Sequence, residues 1–367
     1  MHIEIVSDTY LPDLNGAAKT LGYLKECLIE QGVSVQVICP QDQGDLLVPS
    51  RSLPYYPALK GAAVRPSTLR KRWQEKRPDA VYIAVESLLG FVALRVARKM
   101  NIPVLAGYHT NFPQYFIEYH QPFLSKVIFK YLRWFHSRAT STWVPSESVK
   151  DELEAIGYNQ LKVMGRGVDS ALFHPSRRSE ALRKIWGCQP DTPVAIFAGR
   201  VSLEKNLTLL SQSFKAMREI RPDLVCLVAG DGPSFKRFKK ENPEVMCLGF
   251  LKGEKLAEVY ASSDILVFPS KTETFGNTVT EAMASGLITV SYNYAASAMH
   301  IKDEVNGLLV DFKDPDGAAF LKRAVDSLQY CDNSEMRQNA TESMKGVSWQ
   351  NVSQGVIDAV KGYQAES

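Results

Sequence analysis

Short apolar runs and longer segments of helical period alternate along most of this chain. In the first half the apolar runs fall at Ile3–Ser7, Val33–Cys39, Ala80–Val85, Pro103–Tyr108 and Thr140–Pro145. Between them, Ala17–Gln31, Ser67–Lys76, Ser87–Met100, Pro122–His136 and Ser146–Ile156 read as helices. The second half keeps the rhythm, with strands expected at Val194–Gly199, Val225–Gly230, Val245–Gly249, Ile265–Pro269 and Ile288–Ser291. Brief apolar strands separated by helices specify parallel sheets covered on both faces. Two such series predict two doubly wound α/β domains, residues 1–170 and 171–347. The stretch Val168–Asp191 carries Pro175, Arg177, Arg178, Gly187 and Pro190 and no strand pattern, which marks the join. A last helix, Trp349–Tyr363 within 348–367, is expected to cross back to the first domain.

Composition narrows the class. At roughly 100–200 residues per domain, 367 residues agree with two domains. A net charge of +3 is too small to select a partner by global attraction, so any basic surface must be local. The cysteines, Cys27, Cys39, Cys188, Cys226, Cys247 and Cys331, are scattered without a Cys-x-x-Cys pair or zinc spacing. Cys39 and Cys226 sit inside apolar runs and read as small buried thiols. The start, MHIEIVSDTY, reads as a strand and lacks the charged and apolar regions of a signal peptide. No run of about 18 apolar residues is present to span a bilayer. These features predict a cytoplasmic protein whose membrane contact, if any, is peripheral on the inner face.

Sites in open α/β sheets lie at the carboxyl ends of strands, and with two sheets facing each other the expected site is the cleft between them. Three segments of the second half fall there. Phe197-Ala-Gly-Arg-Val-Ser-Leu-Glu-Lys-Asn206 follows a strand and offers Arg200 and Lys205, two cations suited to a departing diphosphate. Either residue alone reads equally as an ordinary solvated cation. Ala229-Gly-Asp-Gly-Pro233 follows the next strand, and Gly230 permits close backbone approach. The third is Ser270-Lys-Thr-Glu-Thr-Phe-Gly-Asn-Thr-Val-Thr-Glu-Ala-Met-Ala-Ser-Gly286. Gly276, Asn277 and Thr278 would open a helix whose free N–H groups favour phosphate. Glu273 lies before that helix and Glu281 about one turn inside it. One carboxylate can reach hexose hydroxyls and the other a ribose diol, each accepting charge-assisted hydrogen bonds.

The first half places Asp8-Thr-Tyr-Leu-Pro-Asp-Leu-Asn-Gly16 after its first strand, with no Gly-x-Gly-x-x-Gly. That speaks against a dinucleotide-dependent dehydrogenase. The strand Pro103–Tyr108 ends in His109-Thr110-Asn111, a histidine at a carboxyl edge.

Glu273 and Glu281, inside ETFGNTVTEAMASG, resemble the signature of retaining glycosyltransferases of family 4, which have the GT-B fold of two Rossmann-like domains facing a central cleft. GRVSLEKN, AGDGP, Gly165-Arg-Gly-Val-Asp169, Phe173-His-Pro175 and Val144-Pro-Ser-Glu-Ser148 agree in order, and the resemblance covers essentially the whole chain. It implies that Arg200 and Lys205 hold the donor diphosphate and that Glu273 contacts the donor hexose. It also implies that Phe275, Gly276, Asn277 and Thr278 meet sugar and phosphate, and that Glu281 binds the ribose. Gly16 matches the small residue that approaches the phosphates, although Asn15 stands where the family commonly has another glycine. His109 resembles the family's His-Thr motif, a residue that touches the donor sugar and steadies charge at the anomeric carbon rather than a general base. The resemblance implies no metal and no cofactor beyond the nucleotide-sugar substrate.

HTNFPQY, YLRWFHSRA and VPSESVKDEL most resemble the bacterial branch of GDP-mannose-dependent mannosyltransferases and diacylglycerol glycosyltransferases. Tyr294-Ala-Ala-Ser-Ala-Met-His300 departs from the consecutive glycines and glutamate common there, in a section that bears on donor choice. Two basic, aromatic stretches bear on the acceptor: Arg65–Arg77, with Arg70, Lys71, Arg72, Trp73, Lys76 and Arg77, and Pro122–Arg138, with Lys126, Phe129, Lys130, Arg133, Trp134 and Phe135. Each reads either as a face for anionic lipid or as an amphipathic helix with solvated cations. No recognition motif supports nucleic-acid binding. The expected activity is hexosyl transfer with retention from a nucleotide-sugar, UDP-glucose type or GDP-mannose, to a lipid such as diacylglycerol. Transfer to a soluble or polyprenol-linked saccharide, a sugar-nucleotide epimerase and a non-catalytic nucleotide-sugar sensor are the rivals.

Overall fold

Each apolar run of the sequence becomes a strand of a parallel sheet, with ends that shift by one or two residues. The computed structural model describes residues 1–11, 16–53, 56–109 and 122–365. They fall into two units, Met1–Arg166 with Trp349–Ser367, and Gly167–Ser348.

The strands of the first unit are β1 (His2–Val6), β2 (Ser34–Cys39), β3 (Leu46–Leu47), β4 (Ser50–Leu53), β5 (Tyr56–Ala62), β6 (Ala80–Ile83), β7 (Val104–Gly107), β8 (Ser141–Val144) and β9 (Leu161–Val163). Seven of them form a parallel sheet in the order β3-β2-β1-β6-β7-β8-β9. Its helices are α1 (Gly16–Glu30), α2 (Pro66–Glu75), α3 (Leu88–Lys99), α4 (Pro122–His136) and α5 (Glu147–Ala155). Because the strands are buried on both faces, they read as continuous apolar runs. Alternation still sorts the side chains. Tyr82 packs on one face with Ile3, Ile5, Leu21 and Leu24, while Val81 and Ile83 pack on the other with Leu69, Leu89 and Phe135. Ser87 caps α3 by accepting from Gly90 N at 3.1 Å, and Ser146 caps α5 by accepting from Val149 N at 3.3 Å, each satisfying an orphan N–H. The C-terminal helix Trp349–Ala365 belongs to this unit. Val356, Ile357 and Val360 join its core, and Trp349 stacks on Tyr23 at 5.3 Å.

The antiparallel pair β4–β5 was not expected. Its sequence mixes Pro, Ser, Lys and Arg with isolated apolar residues and carries no alternation a strand reading could use. The strands β3 and β9, of two and three residues, are too short to show a period.

Part of the basic stretch Arg65–Arg77 is tied to the rest of the unit by hydrogen bonds, although of its basic and aromatic residues only Trp73 and Arg72 are buried or half-buried. Trp73 is fully buried and its Nε1 donates to Glu4 Oε2 at 3.2 Å. Arg72 donates to Glu4 Oε1 at 2.8 Å and to Gln36 Oε1 at 3.0 Å. Lys76 donates to Ser34 Oγ at 3.3 Å and Arg77 to the Asn101 carbonyl at 2.9 Å. Glu4 is fully buried, and a buried carboxylate left without its cation is strongly destabilising. Arg70 and Lys71 remain exposed.

The second unit has strands β10 (Val194–Ala198), β11 (Val225–Ala229), β12 (Met246–Gly249), β13 (Ile265–Phe268), β14 (Ile288–Tyr292) and β15 (Leu308–Val310), all parallel, in the order β12-β11-β10-β13-β14-β15. Its helices include α6 (Glu180–Ile185), α7 (Leu207–Ile220), α8 (Phe235–Glu241), α9 (Glu254–Ala261), α10 (Asn277–Ala284) and α11 (Ala295–His300). The stretch 168–191 is built into this unit. Phe173 and Trp186 lie in its core, and buried Arg183 donates to Asp264 Oδ2 at 3.1 Å and to the Thr192 carbonyl at 2.6 Å. A buried, paired arginine looks like a polar linker residue in sequence.

Candidate active site

In each unit the chain runs outward from its first central strand to one edge of the sheet, then crosses to the other side of that strand and runs to the opposite edge, so the connections on either side diverge. Such switch points open a crevice at the carboxyl edge of the sheet. In the second unit the switch lies between β10 and β13. The loop after β10 ends in a 3-10 turn, Leu203–Lys205. The loop after β13 runs from Pro269 to Gly276 and leads into α10. Lys205 Nζ donates to Glu273 Oε1 across the switch. Their side chains are 15% and 16% exposed, so the pair is shielded from water but reachable. Two further bonds stitch the loops: Thr272 Oγ1 donates to the Glu204 carbonyl at 2.9 Å, and Thr278 Oγ1 to the Ala198 carbonyl at 3.2 Å.

Helix α10 begins at this crevice. Its N-cap is Gly276, at φ +97°, a left-handed conformation that side chains disfavour. Glycine brings no side chain to occupy the first-turn N–H groups, which stay suited to an anion. Asn277 Oδ1 and Ser270 Oγ are buried without a hydrogen-bond partner among the described residues. Phe275 is 1% exposed; its carbonyl accepts from Ala296 N at 2.8 Å, and its ring meets His300 edge-on at 6.2 Å. Glu281 is one turn inside α10. The hydroxyl of Tyr260, on α9, donates to Glu281 Oε2 at 3.4 Å. Burial first, and the Glu281 charge second, hold the Tyr260 phenol well above its ordinary range.

Arg200 is exposed on the β10 loop, while Lys205 on the same loop is paired. Gly230 and Gly232 explain how that loop is held. A Cβ on Gly230 would stand 1.8 Å from the Gly199 carbonyl oxygen, and one on Gly232 2.4 Å from that of Val201. Val201 N donates to the Asp231 carbonyl, and Ser234 N to that of Val201, both at 3.0 Å. The close approach that Gly230 permits is therefore of the 229–233 turn to the loop carrying Arg200.

The first unit has its switch between β1 and β6. His109 follows β7, and its Nε2 lies 2.9 Å from the hydroxyl of Tyr82 on β6. Gly107 makes room: a Cβ there would be 2.5 Å from the Tyr82 hydroxyl and 2.6 Å from His109 Nε2. Burial, and then the charge of Arg166, push the His109 imidazole down to about 3, so it is neutral at physiological pH. Arg166 is buried, and its Nη1 is 3.7 Å from where a Gly16 Cβ would stand. It thus lies beside both Gly16 and His109. Asp8, at the switch itself, accepts from Ser87 Oγ and, at 2.8 Å, from Ala62 N. Burial raises its carboxyl pKa while these two bonds oppose the rise. Asn15, Thr110 and Asn111 lie outside the described residues.

The structure therefore gathers Lys205, Glu273, Phe275, Gly276, Asn277, Thr278 and Glu281 at one crevice of the second unit, with Gly230 bracing the Arg200 loop. His109 and Gly16 share a corner of the first. Sequence reasoning gave no role to Tyr82, Gly107, Arg166 or Tyr260. Arg166 stood within a quoted motif; the others carried no local signal. Among the described residues no group of three or more His, Cys, Asp or Glu is placed to hold a metal ion.

Two parallel doubly wound sheets, each with polar residues gathered at a switch point, define the GT-B class of glycosyltransferases. Residues 178–345 match the family described as glycosyl transferases group 1, and residues 14–172 match glycosyltransferase family 4. The chain belongs to this family and is a nucleotide-sugar-dependent glycosyltransferase. It is 33% identical to a GDP-mannose-dependent alpha-mannosyltransferase of Corynebacterium glutamicum, over 95% of this chain and 86% of the relative. It is 27% identical to an alpha-monoglucosyldiacylglycerol synthase of Acholeplasma laidlawii, over 84% of each chain. In structure it resembles a sucrose-phosphate synthase from Thermosynechococcus elongatus, with TM-score 0.79, 18% identity and full coverage of both chains.

Proposed function

We propose that this protein is a retaining, metal-independent hexosyltransferase that moves a hexose from UDP-glucose, a related UDP-sugar or GDP-mannose to a membrane lipid such as diacylglycerol. The observation that carries the donor side is the Lys205–Glu273 pair at the β10/β13 switch, beside a helix N-terminus capped by glycine. Arg200, Lys205 and the first-turn N–H groups of α10 meet the diphosphate and stabilise the charge that grows on it as the sugar bond breaks. Glu273 binds hexose hydroxyls and Glu281 the ribose, with Phe275, Asn277 and Thr278 shaping the wall between them. Asn277 Oδ1, buried without a partner among the described residues, is an acceptor that a donor hydroxyl would satisfy. Gly230 acts through the Arg200 loop, and Gly16 leaves space for phosphate.

His109 serves as a neutral hydrogen-bonding group for the sugar. An imidazole held down to about 3 is too weak a base to take the acceptor proton near neutrality. In this reading the departing phosphate takes that proton on the same face as the bond forms, which preserves the anomeric configuration. The lipid acceptor is supported by the likeness to the glucosyldiacylglycerol synthase, and GDP-mannose as a donor by the mannosyltransferase relative.

The test is mass spectrometry of products after incubation with diacylglycerol in anionic micelles and, in turn, UDP-glucose, UDP-galactose, UDP-sulfoquinovose and GDP-mannose. A hexosyl-diacylglycerol from one of them is the expected result. Donor hydrolysis without lipid product would overturn the lipid acceptor and direct the search to soluble or polyprenol-linked saccharides. An isomerised donor without an acceptor would mark an epimerase.

A further inference from the structure

Two helices of the first unit, α3 and α4, carry basic residues and no acidic ones. In α3 these are Arg95, Arg98 and Lys99, and in α4 Lys126, Lys130 and Arg133, with Arg138 just beyond. The buried side of α4 is fixed to the sheet. Leu132 and Phe135 are 2% and 0% exposed, and His136 bridges Glu86 Oε1 at 2.9 Å and Thr142 Oγ1 at 3.0 Å. Among the described residues its outer side has no such partners to bury it. Lys126, Lys130, Trp134 and Arg138 recur at helical spacing and are exposed, and Val127 is 52% exposed beside them. Trp134 meets Phe91 of α3 at 5.7 Å, which joins the two helices into one surface. Leu88, one turn before Phe91, is 61% exposed.

Cations rim the aromatic rings. The Arg138 guanidinium lies 5.8 Å from the Trp134 ring centre and that of Arg95 5.6 Å from Phe91. Apolar residues in the middle of a wholly basic helical face are the signature of an interfacial surface: the apolar part enters the headgroup boundary and the cations meet anionic lipid. Nucleic acid would use the charges but has no use for exposed Leu88 and Val127. The neighbouring basic helix differs. Trp73 of α2 is buried and Arg72 bonds Glu4 and Gln36; Lys76 and Arg77, just beyond α2, are exposed but hydrogen-bonded to Ser34 and Asn101, and Lys71 faces Glu75 at 3.9 Å.

We propose that the α3–α4 face, centred on Leu88, Phe91, Val127 and Trp134 and rimmed by Arg95, Lys130 and Arg138, docks this protein on anionic phospholipid, and that α2 does not. The proposal rests on the lipid-acceptor reading above. It is tested by sedimentation of the full chain with phosphatidylcholine vesicles, with and without phosphatidylglycerol, alongside hexosyl-diacylglycerol formation in micelles. Wild type should bind only the anionic vesicles and release as salt is raised. Lys130→Glu with Arg138→Glu should weaken binding about tenfold or more, and Trp134→Ala about threefold at constant charge. Arg70→Glu with Lys71→Glu should change it less than about twofold. Donor turnover, unchanged in all of these variants, reports that they fold. Loss of binding in the α2 variant with retention in the α4 variants would overturn the assignment of the face. Glycolipid formed in micelles by a wild type that ignores anionic vesicles would overturn the docking proposal and leave the acceptor reading intact. Salt-sensitive vesicle binding that the α4 variants lose, without lipid product, would uphold the face and sink the lipid acceptor.

Discussion

The two units build their polar corners by different routes. The second joins two loops, 199–206 and 269–276, that follow adjacent strands, and its residues lie in two contiguous motifs. The first draws Gly16, Tyr82, His109 and Arg166 from four separate segments, after or within β1, β6, β7 and β9. The second corner is ionic, with Lys205 on Glu273. The first holds a neutral histidine beside a buried arginine. On the function proposed above, the ionic corner suits a dianionic leaving group and the neutral histidine an uncharged sugar. Strong charge belongs where charge develops, and near a cationic transition state a neutral hydrogen-bonding group avoids repulsion.

The sharpest break of this contrast is at Glu273. Glu273→Ala removes the proposed hexose contact and leaves Lys205 part-buried without its carboxylate. We expect turnover of the nucleotide-sugar to fall about a thousandfold, as for other preorganised polar groups at a reacting centre, with an unchanged circular dichroism spectrum. Near-normal turnover in a folded variant would mean that the ionic corner is not the donor site.

Glycines sharpen the same contrast through stability. Gly230→Ala would drive a methyl group to 1.8 Å from the Gly199 carbonyl oxygen, which is backbone and cannot swing aside. A loss of about 3 kcal/mol in urea unfolding is expected. Among the described residues Gly16→Ala meets nothing closer than Arg166 Nη1 at 3.7 Å and sits in α1, so its stability should stay level or rise by up to about 1 kcal/mol. Equal losses at both positions would remove the distinction between a glycine needed for packing and one that leaves open space.

How much of this was legible before the fold was known follows from the same difference in route. The alternation of apolar runs and helices specified both parallel sheets, because fully buried strands must be apolar along their length. The 270–286 string could be read because strand end, loop and helix start are contiguous, so local rules place Glu273, Gly276 and Glu281 relative to one another. The Tyr82–His109 contact needed β6 beside β7 and a glycine at 107 to admit it, a pairing that spacing along the chain does not encode. Arg178 and Trp73 misled for another reason: Arg178 pairs with buried Asp264 at 3.3 Å and Trp73 with Glu4 at 3.2 Å. A cation tied to a buried carboxylate and a buried indole, each with a specific partner, share the residue types of a polar linker and of a lipid-facing helix.

Protonation separates the units again. The His109 imidazole titrates near 3 in the folded chain and near about 6.5 when unfolded. The unfolded state therefore binds more protons as pH falls, and stability drops with decreasing pH. The contribution is whole above pH 6.5 and is lost progressively from there down toward about 3. Relative to His109→Gln, wild type should lose about 2 kcal/mol of unfolding free energy between pH 7 and pH 5. His2 and His300, also lowered by burial, are common to both proteins and cancel in the difference. Parallel pH profiles for the two would show that His109 is not held neutral.

The smallest effects come from two phenols that play matching parts. Tyr260 donates to Glu281 in the second unit and Tyr82 lies against His109 in the first, so each holds a residue proposed to touch the donor. At 3.4 Å the Tyr260 bond is long, and Glu281 retains other polar surroundings, so Tyr260→Phe should raise the nucleotide-sugar KM about fivefold, the worth of one modest hydrogen bond, with kcat little changed. Tyr82→Phe removes the partner of a neutral ring. It should lower kcat a few-fold, by loosening an imidazole proposed to touch the sugar, and leave KM for the donor nearly constant, because the proposed diphosphate and ribose contacts lie in the other unit. The prediction is the split itself: ribose grip appears in KM and sugar contact in kcat. If both variants moved the same parameter, the two corners would not divide the donor as proposed, and the neutral corner of the first unit would need a partner other than the transferring hexose.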